Sequence, residues 1–154
     1  MIKTAETIYI DAPVEQVFDF YKDVENWPTV APAWLKWSVK DVKRTPELTG
    51  TTFAYEAKMA GAINMQGDIE IVEAVPNERI VMRDTGPAGG PQTETFLFDS
   101  VNSGMTLTVV DERQGTRLEH LPVVGVLAQR FVNLLTSRWL HVLKRMMEQQ
   151  RATG

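Results

Sequence analysis

The chain contains no cysteine, which excludes disulfides, thiolate metal sites and cysteine nucleophiles and fits a reducing compartment. Histidine is nearly as scarce. His120 and His141 lie far apart with no ligand pattern beside them, so neither zinc nor iron is expected. No apolar run approaches the roughly 18 residues that a membrane-spanning helix requires. The segment from Met1 to Thr7 also lacks the apolar stretch of a secretion signal. These absences predict a soluble, cytoplasmic protein with no stable membrane insertion. No run of Lys or Arg exceeds two, and sixteen basic residues stand against twenty acidic ones, so there is no electrostatic footprint for nucleic acid. Ser38, Ser100, Ser103 and Ser137 lack the strand-turn-helix setting of a serine nucleophile. No linker, repeat or low-complexity tract divides the 154 residues. The expectation is one domain over 1–154, long enough to bury roughly 70% of its unfolded surface and needing no cofactor.

What is present is organised around one long amphipathic segment, Val123 to about Gln149. At about 100° per residue, Val124, Leu127, Ala128, Phe131, Leu134 and Leu135 share an arc that Trp139, Val142 and Met146 continue. Arg130, Asn133, Ser137 and Lys144 fall mostly opposite. The pattern predicts a helix of about 27 residues, roughly 40 Å long, whose stripe needs a partner as long as itself. Leu140 and Met147 fall on the far side, where they offer a contact for a homodimer, the alternative being a monomer. Arg138 interrupts the stripe within about 20° of Phe131.

Upstream, Thr4 to Ile10 alternates like a strand and ends at Asp11-Ala12-Pro13. Asp11 is the expected N-cap of a helix from Pro13 to about Asp23, with Val14, Val17, Phe18 and Tyr21 facing inward. Asn26-Trp27-Pro28 restarts the chain, and Thr29 to Leu35 has room for only a turn or two of helix. From Trp37 onward the period is two. Turn signals at 45–50, 60–62, 75–78, 86–91 and 102–104 separate six strands, near 37–44, 51–59, 65–74, 79–85, 93–100 and 105–113. Short connections make successive strands antiparallel neighbours. The result is an α+β chain in which a curved, seven-stranded antiparallel sheet grips the C-terminal helix.

The run Ile8-x-Ile10-x-Ala12-Pro13-x-Glu15-x-Val17-Phe18, followed by Asp23-x-x-Asn26-Trp27-Pro28, resembles the START-like helix-grip superfamily. That group includes polyketide cyclases, lipid-transfer domains, pathogenesis-related allergens and coenzyme Q-binding proteins. Val75-Pro76-Asn77-Glu78-Arg79-Ile80-Val81 and the final helix fall where the same pattern expects them, so the resemblance covers essentially the whole chain. Pro32-Ala33-Trp34-Leu35 and the Gly-Pro segment before Thr93-x-Thr95-Phe96 resemble a polyketide cyclase-like bacterial branch. The resemblance implies a deep apolar cavity between helix and sheet that holds a lipid, polyketide, sterol or isoprenoid-like molecule. It specifies a fold and assigns no activity.

Strand parity selects the lining. Phe53, Tyr55 and Met59 share one face, with Met65 and Ile69 on the next strand and Met82 beyond it. Phe96, Phe98, Leu107 and Val109 continue the same side, and Phe131, Leu135 and Trp139 oppose them from the helix. Trp34 sits at the expected mouth beside Trp27 and Trp37, with Trp27 read as core that plugs the open end. The Gly-Pro stretch 86–91 is a lid if it covers that mouth. Polar residues of inward parity are Tyr55, Asp84, Glu94 and Asp111, with Arg138 approaching from the helix. Asp84 and Asp111 lie near strand ends, where solvent or an ion pair would satisfy them. For Glu94 and Arg138, a structural pair and a ligand anchor remain alternatives. If the site is catalytic, Glu94 is the base beside a carbonyl, and Tyr55 and Arg138 hold the developing enolate. Three functions remain open: a carrier or sensor of a hydrophobic small molecule, a cyclase, aromatase or dehydratase, and a protein-interaction module.

Overall fold

From residue 35 onward the connections between strands are too short to do more than reverse the chain, so those strands pair in sequence order, while the first strand pairs with the last. In the computed structural model, which describes residues 1–59, 63–85, 91–115 and 119–153, β1 (Ile2–Ile10) leads into α1 (Val14–Lys22) and a 3-10 helix (Val24–Val30). Six strands follow: β2 (Leu35–Lys43), β3 (Thr52–Met59), β4 (Ile63–Val75), β5 (Arg79–Asp84), β6 (Gln92–Val101) and β7 (Gly104–Arg113). The helix α2 (Pro122–Thr153) ends the chain. The sheet order is β1-β7-β6-β5-β4-β3-β2, antiparallel throughout. The sequence-predicted turn at 60–62 and the Gly-Pro stretch, apart from Pro91, lie outside the described residues.

Two hairpins show why the turn signals work. Asn77 and Asn102 adopt φ of 60° and 54°, the left-handed region that asparagine tolerates better than branched residues. Asn102 and Ser103 alone join β6 to β7. Around the first helices the outcome differs from expectation. The N-cap of α1 is Pro13, with no side-chain cap, and the Asp11 carboxylate is instead taken by Arg151 at 2.5 Å. Asn26-Trp27-Pro28 lies inside the 3-10 helix, which Asp23 caps by accepting from the Glu25 N–H at 3.1 Å.

α2 has 32 residues, about 48 Å, and its two halves are held differently. The C-terminal half is bolted down: Leu140, Leu143 and Met147 are buried in the core. Lys144 donates to the Tyr9 carbonyl at 2.9 Å, Gln16 donates to the Met147 carbonyl at 3.0 Å, and Glu148 accepts the Asp11 N–H at 3.0 Å. Leu140 and Met147 thus face inward, which removes them as a dimer contact. The N-terminal half is apolar on both sides, with Val123, Leu127 and Leu134 exposed and Ala128, Val132 and Leu135 turned toward the interior. Averaging over both sides shifts the apparent stripe away from the core face, which the C-terminal half alone marks correctly.

Candidate functional site

Where α2 leaves the core, it spans the hollow of the sheet and partly covers a cavity of about 390 Å³. One end of that space is apolar, and the reason is strand register. Ile80, Phe96 and Val109 are neighbours across β5, β6 and β7, a row of large hydrophobic side chains. The next row on the same face is Met82, Glu94, Asp111 and Thr4, and the one after is Asp84, Gln92 and Arg113. A period of two thus carries each strand from apolar to polar within two steps, and the polar positions coincide on three adjacent strands.

Of the lining expected from parity, Met65, Ile69, Met82, Phe96 and Val109 reach the cavity from the sheet. Phe131, Leu135 and Trp139 reach it from α2. Tyr55 and Glu94 are there too. Phe53, Phe98 and Leu107 share the face but lie deeper in the core, and aromatic side chains from the first helices fill the space above the two phenylalanines. Trp27 meets the Phe53 ring edge-on at 5.5 Å, and Phe18 meets Phe98 at 5.2 Å. Trp27 therefore both plugs the core, 3% exposed, and walls the cavity; its Nε1 donates to the Tyr21 carbonyl at 3.0 Å. Met59 ends β3 opposite Leu35, outside the lining. Trp34 is 43% exposed and also outside it. Trp37 takes the mouth position, stacked on Tyr55 with Trp139 edge-on.

Arg138 is exposed on α2 and does not line the cavity. The corrected phase of the helix turns it outward, so it is neither an enolate donor nor the partner of Glu94. Asp111 departs from expectation in the opposite sense. It is only 7% exposed, and its Oδ1 has no hydrogen-bond partner among the described residues. Asp84 accepts from the Tyr55 hydroxyl at 2.8 Å, a reach made across β4 where Tyr55 pairs with Gly67, a residue that puts no side chain in the way. Tyr21, read from sequence only as a core residue of α1, lines the cavity with a hydroxyl that has no partner either. Arg113 and Glu119 complete the polar end as an ion pair of 2.8 Å with both side chains largely buried. Nothing in the sequence pointed to Glu119, since it stands in a loop with no periodicity.

Burial dominates the electrostatics. Glu94 has surface open to the cavity but is surrounded by protein, and loss of solvent, with Asp111 and Asp84 adding repulsion, pushes its carboxyl up to about 8. The same desolvation, opposed by the Arg113 charge, raises Asp111 to about 6. Burial, and then the neighbouring carboxyls, keeps the Tyr21 and Tyr55 hydroxyls protonated far above the ordinary tyrosine range. The polar end is thus a set of hydrogen-bond acceptors and protonated carboxyls beside two phenols. Among the described residues, no three His, Cys, Asp or Glu groups converge in a geometry that would hold a metal ion. His141 is exposed, its Nδ1 2.7 Å from the Ser137 carbonyl. No helix is long and apolar enough to cross a membrane among the described residues.

The whole architecture recurs in solved structures. Protein CV1439 from Chromobacterium violaceum superposes with a TM-score of 0.77 at 18% identity, over 95% of this chain and 96% of that one. The di-domain ARO/CYC StfQ from the steffimycin biosynthetic pathway gives 0.77 at 15% identity, over 99% of this chain and 52% of that one. The Aha1 protein from Colwellia psychrerythraea, a dimer in solution, gives 0.65 at 14%, over 96% and 97%. At such identities the likeness is one of fold, a helix-grip α+β fold of the START-like type. No curated protein matches the chain. The sequence itself matches the profile of polyketide cyclases, dehydrases and lipid-transport proteins over residues 1–149, and the chain belongs to that family.

Proposed function

We propose that the chain is a single ligand-binding domain that takes a hydrophobic small molecule into the cavity between sheet and α2 and serves as a carrier or sensor. The cavity itself carries this reading: about 390 Å³ with a mainly hydrophobic and aromatic wall, within the size range of small-molecule sites. Sterols, isoprenoids, polyketides and acyl chains all meet the apolar requirement. The methionines in the wall, Met65 and Met82, let the lining adapt to more than one shape. Native mass spectrometry of the protein purified from its own host tests the reading. The expected result is an apolar molecule bound one to one and displaced when Ala128→Trp fills the space. Protein that never carries one, with hydrophobic probes failing to bind, would overturn it.

One observation favours a second reading, an enzyme of the cyclase, aromatase or dehydratase type. A carboxyl poised at about 8 is well matched to taking a proton from carbon beside a carbonyl near neutral pH. In that chemistry the proton moves to Glu94 while the Tyr21 or Tyr55 hydroxyl donates to the forming enolate oxygen. Glu94→Gln separates the two readings, since an enzyme keeps its ligand and loses turnover whereas a carrier has no turnover to lose.

A further inference from the structure

The outer side of the N-terminal half of α2 is apolar where a solvated helix would be polar. Val123, Val126, Leu127, Phe131 and Leu134 are exposed there, Val123 by 71% and Leu127 by 60%. All five fall within about three turns, a contiguous patch of the kind that marks a contact site. They spread over an arc of about 140°, wider than the seam that a partner helix fills. The charges of the same stretch are of one sign. None of the chain's twenty acidic residues lies between His120 and Met147, whereas Arg130, Arg138, Lys144 and Arg145 do, in a chain whose net charge is -4. Lys144 is held by Glu148. Arg130, Arg138 and Arg145 are exposed and make no ion pair among the described residues. Arg130 and Arg138 stand about 40° to either side of Leu134, and Arg145 about 20° from it, so unpaired cations frame the patch.

We propose that this half of α2 is a peripheral docking surface for a lipid bilayer carrying anionic headgroups. The apolar side chains enter the acyl boundary, and Arg130, Arg138 and Arg145 extend along their own stems to the phosphates. A bilayer takes apolar side chains over a wide arc because it has no fixed shape to match. A partner helix covers a seam and leaves the flanks, Val126 and Phe131, in water. A second copy of the chain fits less well still. Pairing this face with itself brings the arginines of both copies together, with no carboxylate between 120 and 147 to meet them.

The contact is peripheral. Among the described residues no helix is long and apolar enough to cross a membrane, and the inner side of these turns, Ala128, Val132 and Leu135, belongs to the cavity. Docking stands on the outer face alone and does not depend on what the cavity holds. Phe131 joins the two surfaces, since it lines the cavity and is also exposed. A docked molecule therefore has the turns that partly cover its cavity set against the lipid phase.

The test is flotation of the intact protein with vesicles of phosphatidylcholine alone and of phosphatidylcholine with about 30% phosphatidylglycerol, at about 0.05 M and about 0.5 M salt. The protein is expected to bind the anionic vesicles about tenfold more tightly than the neutral ones, and to lose most of that binding at the higher salt. Leu127→Gln with Leu134→Gln, and separately Arg130→Gln with Arg138→Gln, should each weaken it by about tenfold or more. All four positions are exposed and outside the cavity lining, so the circular dichroism spectrum and the melting temperature should match the parent's. Anionic vesicles should also slow deuterium uptake of the unaltered protein between 123 and 134, a readout that needs no variant. No flotation, equal binding to both vesicles, binding unchanged in either variant pair, or protection that falls outside these turns overturns the proposal. So does a dimer in sedimentation velocity that the leucine pair dissolves, because it assigns the face to a second copy.

Discussion

Glu94 and Asp111 face each other directly across β6 and β7, two carboxyls on the cavity side of neighbouring strands. Paired side chains of this kind stand with Cβ atoms about 5 Å apart, too close for both to ionise freely in a desolvated space. The pair therefore holds protons that the unfolded chain releases.

Ligand-free stability should fall as pH rises through that interval. The Glu94 carboxyl is raised from 4.5 to about 8 and that of Asp111 from 3.8 to about 6. The contribution is fully present below the unfolded values and is lost as pH climbs through the folded ones. Urea denaturation of the protein and of Glu94→Gln, from about pH 5 to about pH 8.5, isolates the Glu94 share. The variant should gain on the parent with rising pH, by on the order of a few kcal/mol at the upper end. A gap that stays constant across the range would show that Glu94 ionises normally.

Leu143→Ala should cost about 2–5 kcal/mol, because the side chain is 0% exposed in the core. Leu134→Ala, on the outward side of the same helix at 52% exposure, should stay within about 0.5 kcal/mol. Equal losses at the two positions would show that the helix phase is wrong.

That contrast also marks what the sequence makes legible. The strands and their order follow from turn chemistry at Asn77 and Asn102 and from alternation, so the sheet is read almost residue by residue. Inward parity likewise placed Tyr55, Asp84, Glu94 and Asp111 on one face. Periodicity failed where a segment has two apolar sides: Leu127 and Leu134 pulled the apparent stripe outward, which brought Arg138 into the site and turned Leu140 and Met147 away from the core. Parity also says nothing of depth. It could not tell Phe98, covered by Phe18 of α1, and the buried Leu107 from Phe96 and Val109, which meet the cavity. Nor could it tell that Asp111, near a strand end, lies beneath the helix rather than in water.

Tyr55→Phe removes one donor that the Asp84 carboxylate accepts from, at 2.8 Å. The expected loss is about 0.5–1.5 kcal/mol, read by chemical denaturation. Because the ring and its stacking on Trp37 are retained, the fold should be unchanged. A stability equal to the parent's would mean that the bond contributes nothing net.

Arg113→Met should be destabilising, by about 1.5–3 kcal/mol, since it withdraws one charged partner from a largely buried carboxylate at Glu119. The double substitution Arg113→Met with Glu119→Met should recover most of the loss. If the double variant is no better than the single one, the pair is not the unit that matters.

The helix α2 is fastened at one end only, so one rod contains two kinetic regimes. Amides between 140 and 150 should exchange with solvent only when the whole molecule opens, while those between 123 and 131 exchange through local fraying. A guest pressed against Val132 and Leu135 slows the second set and hardly alters the first, which makes the loosely held turns a built-in gauge of occupancy, read by deuterium uptake with no label attached.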